Sequence, residues 1–305
     1  MSLALIFPGQ GSQHVGMASE LTAAEPVAAA VLEEADDVLG FGLSRLMAEG
    51  PEDELTATKN AQPALLTHSV AVLRTIADRL GPVAIAGGHS LGEFSAYVAA
   101  GTLSFGEALG AVRRRGELMY ETGLERPGTM AALLGLDDQA VVELCAEVDA
   151  GTCVPANFNS AGQVVVSGDV AGVEQLMARA KEAGAKRVVR LNVTGAFHSP
   201  LMKPAAAGLE EYLNGLDFRD PAYPVVANAT AEVVESGEAA RALLIDQLTA
   251  PVRWSASVRT MLDAGVDRFL ELGPGKVLST LNRRNAKGVP SSAIGAPSDF
   301  DSLED

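Results

Sequence analysis

Five residues, Gly88-His89-Ser90-Leu91-Gly92, constrain this chain more than any other stretch. They set a serine inside Gly-x-Ser-x-Gly, between an apolar run, Val83-Ala84-Ile85-Ala86-Gly87, and an amphipathic one, Leu91 to Ala100. The first run predicts a short buried strand. The second predicts a helix, with Leu91, Phe94, Ser95 and Val98 on one face at helical spacing. A strand that turns sharply into a helix lifts its serine out of the sheet. The two glycines allow the tight backbone and close packing of such an elbow. The helix start adds inward N–H groups and partial positive charge, which suit an oxyanion. The plainer reading is a Gly-rich turn whose serine caps a helix; the strand–turn–helix setting favours a nucleophile.

The rest of the chain alternates short β-like runs with longer helical ones, which predicts an α/β sheet protein. Strands are expected at Leu3–Phe7, at Val83, at Pro224–Ala227 and at Arg268–Leu272. Helices are expected at Val27–Leu39, Gln62–Leu80, Phe105–Tyr120 and Lys276–Asn285. Between them, from Gly128, the order changes to strand (Met130–Gly135), helix (Asp137–Val148), two strands (Thr152–Asn157, Gln163–Ser167), helix (Val170–Ala183) and strand (Arg187–Val193). That β-α-β-β-α-β order is the ferredoxin-like split pattern. It divides the chain into a large discontinuous unit, 1–127 and 197–287, and a small inserted unit, 128–196. From Gly288 to 305 the Gly, Pro, Ser and Asp content predicts a flexible acidic tail. A cleft between two units is the default place for a small-molecule site.

A formal net charge of −16 makes nucleic acid or an anionic membrane a poor partner. No stretch is apolar and long enough to span a bilayer, and Met1–Phe7 lacks a basic leader, so a cytoplasmic protein is expected. Cys145 and Cys153 have no His or Cys cluster beside them and read as two buried thiols; no metal site is expected.

A serine nucleophile needs a base, usually histidine. His89 adjoins Ser90, but neighbouring side chains diverge at a sharp turn. His68 lies within a packed helix and His14 in a polar loop. His198 falls where the chain returns from the small unit to the large one, at the mouth of the inferred cleft, and is the candidate base. No acid is placed to orient it; a backbone carbonyl or an amide can do so. In the helix after the elbow, Leu109, Val112, Gly116 and Met119 form a packed stripe. Arg115 flanks that stripe, whereas Arg113 and Arg114 read as solvated. A half-buried arginine implies a carboxylate partner, because guanidinium stays charged and binds carboxylates bidentately. Gln10, between Gly9 and Gly11 after the first strand, stands where a second oxyanion N–H is available.

These residues resemble a known family. Pro8-Gly9-Gln10-Gly11-Ser12-Gln13, Gly88-His89-Ser90-Leu91-Gly92-Glu93, Arg115-Gly116, Asn157-Phe158-Asn159-Ser160, Phe197-His198, Leu201-Met202-Lys203-Pro204 and Gly273-Pro274-Gly275 are similar in order and spacing to the malonyl-CoA:acyl carrier protein transacylases of type II fatty-acid synthesis. The likeness runs to about Arg284. It implies an α/β-hydrolase-like core with a parallel sheet and a ferredoxin-like insertion, and a malonyl group passed from malonyl-CoA through Ser90 to the phosphopantetheine thiol of an acyl carrier protein. It implies His198 as base, the main-chain carbonyl of Gln247 as its partner, the N–H groups of Gln10 and Leu91 as the oxyanion hole, and Arg115 as grip on the malonyl carboxylate. Phe197 resembles the malonyl-selective signature, with Met119 lining the same pocket. No cofactor, a transient carrier partner and a monomer are expected. Lys186, Arg187 and Arg190, or Lys276, Arg283, Arg284 and Lys287, are candidates for carrier docking. A serine esterase or thioesterase, a catalytically silent synthase partner, and service to polyketide as well as fatty-acid synthesis all stay open on sequence alone.

Overall fold

The computed structural model describes residues 2–303. Ten strands frame it: β1 (Leu3–Phe7), β2 (Val83–Gly88), β3 (Gly128–Leu134), β4 (Cys153–Ser160), β5 (Gln163–Asp169), β6 (Arg187–Arg190), β7 (Val225–Val226), β8 (Val233–Val234), β9 (Arg268–Leu272) and β10 (Ser291–Ile294). The larger sheet has the order β10-β9-β1-β2-β7-β8. Its first five strands are parallel and β8 pairs antiparallel with β7. The sheet is thus mixed rather than wholly parallel. The link from β7 to β8 is too short for the crossover a parallel neighbour needs.

Strand β1 sits at the centre and is buried throughout. Its side chains alternate between two cores: Leu3, Leu5 and Phe7 join one cluster, Ala4 and Ile6 the other. A sheet covered on both faces explains why this strand reads as continuous apolar sequence rather than alternation.

The smaller sheet, β4-β5-β3-β6, is antiparallel. Helices Asp138–Ala146 and Val170–Glu182 cover one face, with Ala131, Leu133, Val164 and Val166 of the sheet against Val141, Val173 and Leu176. Met130, Val165 and Ala156 point the other way, into the main core. The small sheet therefore lies directly on the large body, and the site forms along that join. Cys145 and Cys153 are buried free thiols in the small-sheet core.

Helix Thr58–Ile76 starts four residues earlier than the periodicity predicts and carries Pro63 inside it. Pro63 cannot donate to the carbonyl of Lys59 four residues back. Arg113 Nη1 donates to that oxygen instead, at 3.1 Å, and to Asn60 Oδ1 at 2.7 Å. Arg113 is therefore a clasp between two helices, with a side chain only 25% exposed, and not a solvated residue. Helix Phe105–Glu125 begins at a capping box formed by Ser104 and Glu107.

The segment from Gly288 also departs from expectation. Ser291–Ile294 is a parallel edge strand on β9, Ile294 is fully buried, and Phe300 lies against the main core. Sheet pairing with β9 outweighs a composition that reads as loose. Residues 304 and 305 lie outside the described residues. No described helix is long and apolar enough to cross a membrane.

Candidate active site

Phe7 ends β1, and its carbonyl accepts the N–H of His89 at 2.9 Å, tying the elbow to the central strand. Ser90 has φ 52°, the left-handed region that a side chain rarely adopts. Both flanking glycines are sterically required. A Cβ on Gly88 would overlap the backbone of Gly92, and one on Gly92 would overlap the carbonyl of Phe7. Asn228 braces the strained turn: its Oδ1 accepts the Ser90 N–H at 2.6 Å and its Nδ2 donates to Gly88 O at 2.7 Å.

Ser90 Oγ is 2.7 Å from His198 Nε2, and His198 Nδ1 is 2.9 Å from the main-chain oxygen of Gln247. A carbonyl can only accept, so Nδ1 carries the hydrogen and Nε2 offers its lone pair to the serine hydroxyl. His198 is 4% exposed. Burial, then the charge of Arg115, lowers its pKa from 6.5 to about 3, so the ring is neutral at pH 7. A neutral base facing a hydroxyl can take its proton as the oxygen attacks a carbonyl carbon.

Arg115 closes the third side. Nη2 donates to Ser90 Oγ at 3.2 Å and to Gln247 Oε1 at 2.8 Å; Nη1 donates to Gln62 Oε1 at 2.7 Å. Arg115 is 1% exposed, and its Nε has no partner. Burial lowers its pKa to about 10 against the raising effect of Glu93, which leaves it a cation at neutral pH. No carboxylate ion-pairs with it among the described residues, so a buried positive charge faces the cavity with neutral partners.

That cavity, of about 300 Å³, is lined among others by Gln10, Ser90, Leu91, Arg115, Met119, Phe197 and His198. All of the candidate residues except Gln247 line it, and Gln247 stands behind His198. Leu91 precedes helix Gly92–Ala99, so its N–H is a helix-start donor, whereas the Ser90 N–H is already taken by Asn228. Gln10 is tied through Nε2 to Thr58 Oγ1 at 3.3 Å. A larger groove of about 820 Å³, between Phe41 and Arg113, is lined by no serine, threonine, cysteine or histidine. Among the described residues no group of three or more His, Cys, Asp or Glu could hold a metal ion.

Comparison with known proteins bears on this geometry. Residues 4–295 match the model of the acyl transferase domain family. The chain is 46% identical over 297 residues to the malonyl CoA-acyl carrier protein transacylase of Bacillus subtilis (strain 168), covering 97% of this chain and 94% of that one. It is 44% identical to the protein of the same description from Escherichia coli (strain K12), over 97% and 96% of the two chains. This chain belongs to the malonyl-CoA:acyl carrier protein transacylases. Among solved structures, the acyl carrier protein S-malonyltransferase of Vibrio cholerae O1 superposes with a TM-score of 0.96 at 40% identity, covering 99% of this chain and 100% of that one. A malonyl-transacylase in complex with a type II PKS acyl-carrier protein does so with a TM-score of 0.96 at 41% identity, covering 99% of both chains.

The candidate site also contains residues to which the sequence assigns no role. Gln62 reaches Arg115 and donates through Nε2 to Met119 Sδ at 3.3 Å. Asn228 and Glu93 hold the elbow from behind. His89 turns away from Ser90 and bonds through Nε2 to Asn159 Oδ1 at 2.8 Å, joining the elbow to the small sheet. The one available signal was at Gln62, a polar residue inside a stretch, Asn60–Val72, that is buried on every side.

Proposed function

We propose that the protein transfers a malonyl group from malonyl-CoA to the phosphopantetheine thiol of an acyl carrier protein through a malonyl ester on Ser90. The observation that carries this reading is the meeting of two groups at one serine oxygen. Ser90 Oγ faces a neutral His198 and, 3.2 Å away, an arginine buried without a carboxylate.

In the first half-reaction His198 Nε2 takes the Ser90 proton as Oγ attacks the thioester carbon. The oxyanion is received by the N–H groups of Gln10 and Leu91. The C–S bond then breaks, and the CoA sulfur leaves with the proton from His198. In the second half the carrier thiol gives its proton to His198, its sulfur attacks the ester, and Ser90 Oγ leaves and is reprotonated. Arg115 binds the free malonyl carboxylate bidentately, giving up its contact with Ser90 Oγ and keeping Gln247 Oε1 as an acceptor. An acetyl group leaves that buried cation unanswered, which disfavours it. Phe197 and Met119 limit the space beside the acyl chain. These steps need no cofactor.

The same reading takes 1–127 with 197–287 as an α/β-hydrolase-like body and 128–196 as a ferredoxin-like insertion, which the order β4-β5-β3-β6 supports. For the carrier, Lys186 and Arg187 form one exposed cationic group and Lys276, Arg283, Arg284 and Lys287 another. None of these six makes an ion pair among the described residues, whereas Arg190 pairs with Glu174 at 2.8 Å.

Intact mass after mixing with malonyl-CoA, acetyl-CoA or methylmalonyl-CoA tests this reading. A malonyl adduct, absent in Ser90→Ala and discharged by holo carrier protein, is the expected result. Free malonate without carrier identifies a hydrolase instead, and untouched substrate a silent homologue.

A further inference from the structure

One buried carboxylate stands behind the site rather than in it. Glu93, on the first turn of helix Gly92–Ala99, is fully buried. Its Oε2 accepts from two donors: Gln247 Nε2 at 2.7 Å and the Asn228 N–H at 3.0 Å. Its Oε1 has no partner.

The two donors lead to different parts of the site. Asn228 braces the elbow. Gln247 reaches Arg115, and its amide has a donor end and an acceptor end. Both amide hydrogens are committed, one to Ser90 O at 2.9 Å and one to Glu93 Oε2. With the NH2 end held at two points, the oxygen end is fixed on Arg115 Nη2 at 2.8 Å. Without Glu93 only Ser90 O holds the nitrogen, and the amide can swing about its last torsion. Arg115 then loses a fixed acceptor on the side where it meets the acyl chain.

We infer that Glu93 is a positioning residue for acyl selectivity: by pinning the Gln247 amide it sets Arg115 where a malonyl carboxylate engages it. This rests on the transacylase reading. An acetyl group makes no use of the carboxylate-binding edge of Arg115, so the loss of Glu93 registers in malonyl transfer far more than in acetyl transfer. A purely structural role lowers both together.

The test compares wild type, Glu93→Leu and Glu93→Gln. Single-turnover acylation of Ser90 by malonyl-CoA and by acetyl-CoA is followed by intact mass, beside labelling by an uncharged fluorophosphonate serine probe. Glu93→Leu is expected to lower the malonyl-to-acetyl ratio about tenfold, the size of one hydrogen bond to a charged group. The loss falls on the malonyl-CoA concentration dependence and exceeds whatever the missing Asn228 contact takes from acetyl transfer and probe labelling. Glu93→Gln restores most of the ratio, because its amide oxygen accepts from the same two donors. An unchanged ratio in Glu93→Leu overturns the inference. So does an equal fall of malonyl, acetyl and probe rates, or a Glu93→Gln protein as unselective as Glu93→Leu. Should Glu93→Leu not fold, Gln247→Met, read on the ratio alone, removes the same acceptor from Arg115, and an unchanged ratio there is equally fatal. A wild type that takes up no malonyl at all overturns the transacylase reading and this inference with it. A wild type that is malonylated while the variants keep its selectivity overturns this inference alone.

Discussion

The acid side of the pH profile is the sharpest consequence of the site's geometry. An ordinary histidine, with a pKa near 6.5, is about 97% protonated at pH 5, so a reaction that needs the free base slows about 25-fold between pH 7 and pH 5. His198 is held down to about 3, first by burial and second by Arg115. Its neutral fraction therefore stays nearly complete to pH 5, and acylation of Ser90 is expected to change less than about twofold over that range. Acetyl-pantetheine is the right donor, because it carries neither a carboxylate nor a phosphate to titrate in the window. Quenched single turnovers read by intact mass give the rate at each pH. Glu93, raised to about 7 chiefly by burial, does titrate there. The same series in Glu93→Gln removes that titration and is expected to leave the profile flat. Arg115→Ala removes the second cause of the His198 shift, so its acid limb moves up toward 6.5 without reaching it, since burial is the larger cause. A wild-type midpoint near 6.5, or an acid limb in Arg115→Ala that has not moved, refutes the reasoning.

Three further outcomes follow from the same contacts. His68 is buried and its pKa is lowered to about 4, mainly by burial, so the unfolded chain binds a proton below pH 6.5 that the folded one refuses. Its contribution to stability is complete above 6.5 and declines as pH falls toward 4. His68→Gln should therefore lose about 2 kcal/mol less than wild type in denaturant titrations taken at pH 7 and pH 5; equal losses count against it. Gly92→Ala forces a methyl into the Phe7 carbonyl and should destabilise by about 3 kcal/mol or more and abolish serine-probe labelling; a folded, labelled protein contradicts the elbow geometry. Reversing Arg283 and Arg284, or Lys186 and Arg187, to glutamate should raise the carrier KM several-fold in one of the two pairs and leave malonyl-enzyme formation intact; if neither pair matters, docking uses another surface.

What was legible in the sequence is what local pattern records. Gly88 and Gly92 announce the elbow because no other residue fits there, and Arg115 stands out because it flanks an apolar helical stripe. The supports do not announce themselves. Asn228 meets Ser90 across 138 positions and Gln62 meets Arg115 across 53, and neither belongs to a local periodicity. Arg113 reads as solvent-facing on its own helix; only the carbonyl that Pro63 leaves open on a neighbouring helix gives it a buried task. Ser291–Ile294 is missed for a related reason. It has a single fully buried apolar residue, Ile294, and becomes a strand through the ladder that β9 offers. Strands of two residues, such as β8, are likewise set by their partner and carry no pattern of their own.

The absence of an acid behind His198 has a physical rationale in the same neighbourhood. Many serine nucleophiles rely on a carboxylate to fix the histidine tautomer and to stabilise the imidazolium. Here a main-chain oxygen fixes the tautomer and brings no net charge. Gln247 supplies that oxygen and also touches Arg115 through its side chain, so a carboxylate at this position would lie beside the guanidinium. Under the proposed mechanism it would neutralise the charge that separates malonyl from acetyl and would repel the incoming carboxylate. Keeping the third partner neutral leaves the cation free for substrate, at the cost of a weaker base, which agrees with a His198 pKa that is lowered rather than raised. A weakly basic imidazole, once protonated, gives its proton readily to the departing sulfur or to Ser90. In the proposed reaction, whose two halves differ only in which thiol arrives and which leaves, that return of the proton is as necessary as its capture.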